Sequence, residues 1–396
     1  MINLSMAAAI PTPAIMTEMN NAKGRGQYKI VEIVNELKPV DIYCYLYARF
    51  GAPNGLQNLF LAEDSDNLIH WEWAISIREN VILVQGHNFR SEVHIMGDLS
   101  TLPNLKFELI TSIKEDFKKY GKDMTQIRTL LEEWQQFLNP YNRIRASTDE
   151  ILKQIKELNL DPTKDKIADV FEGDDVNANV RRVNELGKKY AFAVGLGFGV
   201  RAMLPVLGES FVNFLIFILA KKEVKSDSRF FLSIVRQQID VRIKSLHLNC
   251  DGFKNPIDYK APACAAFHTL INERNNLLHG NVNIEDLKFN DVYFNGRVPI
   301  FRTYEDQWER SIGVSLRSIR FESLEKDREA VRTFILYVID QLEGGVKNQI
   351  EPLLEIRDLG FNKKTGRLGV LFPNRLVDFR LVAKNEDGTT PDIRIR

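Results

Sequence analysis

Cysteine is scarce: Cys44, Cys250 and Cys264 are the only three in 396 residues, widely spaced and without a C-x-x-C pair. A disulfide framework and a zinc ribbon are therefore excluded, and a reducing cytosol is expected. Net charge is missing too, with 53 Lys+Arg against 53 Asp+Glu. The whole molecule is no polycation that coats nucleic acid, so any phosphate-binding surface has to be local. Histidine is limited to six residues, and neither H-E-x-x-H, G-x-S-x-G nor a P-loop occurs. Gly195-x-Gly197-x-Gly199 lacks the third glycine and the preceding strand of a dinucleotide fingerprint, and reads as a loop or a close helix contact. The first residues lack the basic start and continuous apolar core of a signal peptide. An unbroken membrane-length run is absent as well. Tyr190–Ala220 is the most apolar stretch, but Arg201, Pro205, Glu209 and Asn213 interrupt it before the roughly 20 apolar residues a span needs. A buried core helix and no membrane are expected.

What is present, 44% hydrophobic residues over 396 positions, suffices for two or three globular units. The pattern predicts a mainly α protein with α/β parts. Residues 1–26 read as a flexible arm. Residues 27–122 read as an α/β or β-rich domain, with strands at Val40–Tyr47, Val81–Gln85 and Asn88–Met96 and a closing helix through Lys114–Tyr120. The Trp71/Trp73 pair fits a strand with one face buried. A helical connector follows over 123–175. Its first helix carries Met124, Ile127, Leu130, Leu131, Trp134, Phe137 and Leu138 at spacings of three and four, and stops at Asn139-Pro140. The second opens on the capping box Ser147-Thr148-Asp149-Glu150, and Asp161–Asp175 reads as an acidic hinge.

Residues 176–346 read as a helical bundle. Asp174 or Asp175 can cap its first helix, and Gly195, Gly197 and Gly199 end or distort it, each glycine costing about 1 kcal/mol in a helix interior. Helices are expected at Arg201–Lys222, Ser228–Leu248 and Cys264–Leu278, with a hairpin (VYFNGRVPIF) inside Asn281–Ile319. Val331, Phe334, Ile335, Val338, Ile339 and Leu342 mark the last helix, which Gly344-Gly345 terminates. Residues 347–396 read as a short β segment with strands at Ile356–Phe372 and Leu376–Ala383.

One helix end combines chemically useful side chains: Asn272-Glu273-Arg274-Asn275-Asn276-Leu277-Leu278-His279-Gly280. Arg274 and His279 stand about 140° apart on an ideal helix, but His279 lies in the last turn, where the chain can re-aim it. The carbonyl end of the helix dipole favours a protonated imidazole there. A guanidinium that clamps a phosphate beside a proton-carrying histidine is a minimal apparatus for RNA cleavage. Spacing alone does not single this pair out, because Arg242 and His247 repeat it.

Arg274-Asn275-x-x-x-His279 resembles the R-N-x-x-x-H signature of the HEPN superfamily, small helical domains of many defence ribonucleases and toxins. Arg274 is followed by a polar Asn275, whereas Arg242 is followed by Ile243. A long helix lies downstream, and an upstream apolar helix carries the embedded acid Glu209. The likeness spans roughly residues 200–342 and leaves the Asn281–Ile319 insertion unaccounted for. It implies metal-independent, cofactor-free cleavage of RNA by 2′-hydroxyl attack. Arg274 would stabilise the phosphate, His279 would move the proton, Asn275 would orient the pair or hydrogen-bond the substrate, and Glu209 would order Arg274. It also implies a homodimer with a composite site and a role as a toxin or antiviral defence effector. The N-terminal domain would then sense a regulatory protein or ligand, or set the dimer.

A purely structural reading stands beside each of these. Arg274 can pair with Glu273, Glu285 or Asp286, Glu209 can be a plain buried acid, and His279 can merely cap its helix. His247 and His268 read as structural. Glu63-Asp64-Ser65-Asp66 reads as an acidic loop, and Lys363, Lys364, Arg367, Arg375, Arg380, Arg394 and Arg396 as a solvated basic surface. In functional terms the competing reading is a non-catalytic dimerisation or nucleotide-binding protein acting through partner recognition.

Overall fold

The computed structural model describes residues 2–23, 28–62, 67–165, 176–282, 284, 288, 290–304, 308–372, 381–382 and 392–393. The chain is mainly helical with α/β parts and forms two compact units, Met1–Gln136 with Gly360–Arg396, and Phe137–Leu359.

The first unit is built on β1 (Ala7–Ala9), α1 (Ile15–Lys23), β2 (Lys29–Ile33), α2 (Pro39–Phe50), β3 (Trp71–Ile77), β4 (Asn80–Gly86), β5 (Ser91–Met96) and α3 (Leu105–Leu130). Its five strands form an antiparallel sheet in the order β1-β3-β4-β5-β2. Successive side chains of a strand point to opposite faces, and here both faces are covered. Trp73, Ile75, Val84, Val93 and Ile95 meet Tyr45 and Leu46 of α2 and Leu105 and Leu109 of α3. Ala74, Val81, Leu83 and Met96 on the other face meet Ile10, Ile15 and Ala22. β3 is thus buried on both sides, not one. The first residues are no loose arm: β1 pairs with β3, and Ile10 and Ile15 are core residues.

Val40–Tyr47 is helix, not strand. Pro39 occupies the first helical turn, and Ile42, Tyr45 and Leu46 recur at helical spacing toward the sheet. β-branched and aromatic content misled because those side chains pack equally well on a helix that covers a sheet. The helix expected through Lys114–Tyr120 and the one expected over Met124–Leu138 also rearrange. A single α3 of 26 residues ends at Leu130, and Gln135–Leu138 is extended. α2 and α3 are tied by Asp116, which accepts from Tyr45 Oη at 2.6 Å and pairs with Arg49.

The second unit contains α4 (Pro140–Glu157), α5 (Val176–Leu219), α6 (Lys222–Ser226), α7 (Ser228–Val235), α8 (Ile239–Lys244), α9 (Leu246–Asn249) and α10 (Pro262–His279). A hairpin of Val292–Asn295 and Val298–Phe301 follows, then α11 (Val314–Ser318), α12 (Leu324–Ile339) and α13 (Gly344–Glu355). α5, α10 and α12 pack on one another, with Phe267 stacked on Phe334 at a centroid distance of 4.1 Å. α4 starts at Pro140, because the Asn139 side chain accepts from the Tyr141 and Asn142 amides. The expected capping box lies inside that helix, where the Ser147 and Thr148 hydroxyls donate back to Arg143 and Ile144 carbonyls.

α5 runs unbroken for 44 residues through Gly195, Gly197, Gly199 and Pro205. The glycine penalty is outweighed by packing: a Cβ at Gly197 would stand 2.6 Å from Ile319 Cδ1, so glycine is what permits that approach. Residues 177–219 form one helix with the length and composition to cross a membrane, yet 56% of its most apolar window is buried. The helix expected at Ser228–Leu248 is three short ones, α7, α8 and α9. Gly344-Gly345 opens α13 instead of closing α12. The described strands near the end are Asp358–Phe361 with Leu368–Gly369 and Leu381–Val382 with Asp392–Ile393, each pair antiparallel. Most of the expected acidic hinge (residues 166–175), most of Leu376–Ala383, and Arg375, Arg380, Arg394 and Arg396 lie outside the described residues.

Buried Glu92 on β5 gives the first unit an acid limit. Burial pushes its carboxyl up, but hydrogen bonds from His94 and Arg90 and the charges of Arg90 and His87 outweigh this and hold it at about 2, below the ordinary 4.5. A depressed folded value contributes stability above the unfolded pKa and loses it as pH falls through the folded one. We expect tryptophan-monitored denaturation to show stability declining between pH 4.5 and about 2. In Glu92→Gln that limb should be shallower and stability at neutral pH lower.

Candidate functional site

α10 begins at Pro262 and ends at His279 because Gly280 adopts the left-handed conformation (φ +60°) and returns its amide to the Asn276 carbonyl. Four buried residues, Cys264, Phe267, Leu270 and Ile271, fix the helix against its neighbours. This orientation turns Arg274 toward α5. There its Nη2 meets Glu209 Oε1 at 2.5 Å, with both side chains about one-fifth exposed. The other oxygen of the same carboxylate, Oε2, accepts from Arg242 Nη2 of α8 at 3.2 Å, and Arg242 Nη1 donates to Asn213 Oδ1 at 2.5 Å.

Two guanidinium groups thus share one carboxylate. Arg242 Nε and Arg274 Nε are both buried without a hydrogen-bond acceptor, so Glu209 satisfies neither arginine fully. A second cluster nearby in sequence is balanced by contrast. Arg201 of α5 binds Glu273 at 2.5 Å and Asp327 at 3.2 Å and donates to the Ile319 carbonyl, while Arg320 also pairs with Glu273. Burial pushes the Arg201 guanidinium down, and Asp327 and Glu273 oppose that. Two cations face two anions there. Around Glu209, among the described residues, two cations face one anion, so the surplus positive charge belongs to Arg242 and Arg274.

The structure therefore joins Arg274 and Glu209 directly. Asn275 is half-buried and His279 is exposed, and no hydrogen bond or ion pair links either to Arg274 or Glu209 among the described residues. α10 stays helical through His279, and no contact joins its imidazole to Arg274 among the described residues. Of the alternative partners for Arg274, Glu273 is occupied by Arg201 and Arg320, and Glu285 and Asp286 lie outside the described residues. Glu63–Asp66 also lies outside them. His268 is held by the Tyr259 hydroxyl at 2.8 Å, a structural contact. Burial pushes the Cys250 thiol up to about 12 and Cys264 up to about 11, so neither offers a thiolate near neutral pH.

Arg242 and Asn213 are cluster members that motif reading passed over. The available signal was Glu209 and Asn213 at i and i+4 on an otherwise apolar helix, a spacing that puts two polar groups on one buried face. The two Arg-x-x-x-x-His sequences, inseparable by spacing, deliver their arginines to the same carboxylate. Lys363, Lys364 and Arg367 belong to the turn after Asp358–Phe361, and the Arg367 guanidinium lies 5.5 Å over the Trp134 ring. Compared with family models, curated proteins and solved structures, the chain matches none.

Removing the shared carboxylate leaves two partly buried cations unpaired. We expect Glu209→Gln to lower stability by about 1–3 kcal/mol, the partial exposure reducing the full cost of a broken buried pair. In a double-mutant cycle, Arg274→Ala should cost less in the Glu209→Gln background than in the parent. Equal costs in both backgrounds would mean that the ion pair carries no coupling.

Proposed function

We propose that the helical unit is a metal-independent endoribonuclease of HEPN type, acting in the cytosol as a toxin or defence effector. The observation that carries this reading is the surplus positive charge of Arg242 and Arg274 on Glu209, at the base of a helix whose last residue is the exposed His279. A phosphodiester competes with Glu209 for Arg274 and brings the extra anion that the cluster lacks. The ribose 2′-oxygen attacks the adjacent phosphorus as its proton passes to a base. The bond from phosphorus to the 5′-oxygen then breaks as that oxygen gains a proton, leaving a 2′,3′-cyclic phosphate and a 5′-hydroxyl. Arg274 stabilises the charge on the phosphorane, and His279 is the base or the acid. Asn275 orients the substrate, and Glu209 is a positioning residue that acts through Arg274. Three free, buried cysteines accord with a reducing cytosol.

Two copies complete the site. One chain's His279 makes no contact with its own Arg274 among the described residues, and a symmetric partner supplies the missing half. Apolar side chains at the terminus support such a contact: Leu278 and Val282 are exposed. The N-terminal unit then responds to a regulatory protein or ligand. A second reading, a non-catalytic dimerisation or nucleotide-binding protein, draws on one specific observation. In the single chain the Arg274 guanidinium is already engaged by Glu209.

Incubation of the full chain with total RNA in excess chelator separates the two. The nuclease reading expects cleavage with cyclic-phosphate ends, reduced about 10²–10⁴-fold in Arg274→Ala and in His279→Ala. Unchanged cleavage in both variants would refute it. Mixing the two inactive variants tests the composite site. Half the molecules become heterodimers with one intact site each, so activity returns to about one quarter of the parent's.

A further inference from the structure

The first unit holds a cavity of about 520 Å³ between α1, the turn Leu56–Phe60 and the outer face of the sheet. That is within the range of small-molecule sites. Its wall is divided by chemistry. Ile15, Met16, Met19, Leu83 and Met96 form an apolar part, and Glu72, Gln85 and His94 form a polar part, with Lys23 in the same wall but in no ion pair with Glu72. The strand register explains the division. Glu72, Gln85 and Glu92 stand opposite one another on β3, β4 and β5 and so share a face.

Glu72 is the unusual group. It is 2% exposed and its oxygens accept from the Gln57 amide at 3.1 Å and from Gln85 Nε2 at 2.5 Å. No cation lies within ion-pair distance of it among the described residues. Glu92 in the same row is supplied with Arg90 and His94. A buried carboxylate with two hydrogen bonds and no counter-charge is costly unless something brings the charge. A hard metal ion does not fit, because it needs several oxygen ligands and no cluster of three or more suitable side chains exists among the described residues. An anion is repelled. The remaining class carries its own positive charge on a short apolar body, for which methionine-rich walls adapt readily.

We propose that this cavity binds a small organic cation, a primary amine or amidine with an apolar tail, its head on the Glu72 carboxylate and its tail among Met16, Met19 and Met96. The site is independent of the nuclease reading, since every residue in it belongs to the first unit. The test uses the full chain with methyl-labelled methionine and three probes: phenethylamine, benzamidine and the neutral isostere 2-phenylethanol. Seven methionines are present, and three line the cavity. The expected result is saturable shifts at Met16, Met19 and Met96 with the cations, binding at least about tenfold tighter than the alcohol, a difference of about 1.4 kcal/mol. Glu72→Gln should erase that preference. If the alcohol binds as well as the amine, if the shifts fall on other methionines, or if neither cation binds up to millimolar concentration, the proposal fails. The comparison of amine with alcohol on the parent chain keeps the test decisive should Glu72→Gln not fold.

Discussion

A single carboxylate inside an apolar helix organises the second unit. Glu209 sits in α5 among side chains such as Phe211, Val212 and Leu215, all essentially inaccessible to water. An ionised group there is tolerated only with partners, and it has two, Arg242 from α8 and Arg274 from α10. Three helices distant in sequence are thereby held to one point. The aromatic stack of Phe267 on Phe334 secures the same helix α10 to α12 from the apolar side. Packing supplies the bulk of the stabilisation, as it does in most domains, and the ion pairs fix which faces meet.

Charge counting then separates two clusters of similar composition. Arg201 and Arg320 with Glu273 and Asp327 are balanced, donate into a carbonyl and a hydroxyl as well, and behave as a structural joint. Arg242 and Arg274 with Glu209 carry one positive charge in excess and retain buried N–H groups with no acceptor. The first arrangement has nothing left to offer a ligand. The second has a guanidinium in surplus, and the exposed His279 ends the helix that carries Arg274. The first unit presents the converse situation at Glu72, a buried carboxyl in no ion pair among the described residues.

Legibility varied with how local the deciding interaction is. β4, β5, the hairpin at Val292–Phe301 and helices α10 and α12 follow from periodicity and turn residues that lie within each segment. Val40–Tyr47 misread because β-branched and aromatic residues serve a sheet-covering helix as well as a strand, and only the opposing sheet chooses between them. The glycines of α5 pointed to a break, but Ile319, more than a hundred residues away, uses the space that Gly197 leaves. The stretch Ser147–Glu150 resembles a helix start, yet Asn139, eight residues earlier, already caps that helix. The first residues looked like an arm because their short apolar segments show no period of their own. They gain order by pairing with β3.

By itself the sequence determined the mainly helical class with a β-containing N-terminal part, and the end of α10 at Gly280. These depend on backbone propensity and on spacings of a few residues, both of which are written locally. Only the tertiary structure decided that Arg274 faces Glu209 while His279 is exposed, that Arg242 joins the same carboxylate, and that Glu72 is buried on Gln85 with no ion pair among the described residues. The reason is physical: an ion pair between helices depends on where side chains 33 and 65 residues apart come to rest, and hydrophobic packing sets that position without leaving a short-range signature in the chain.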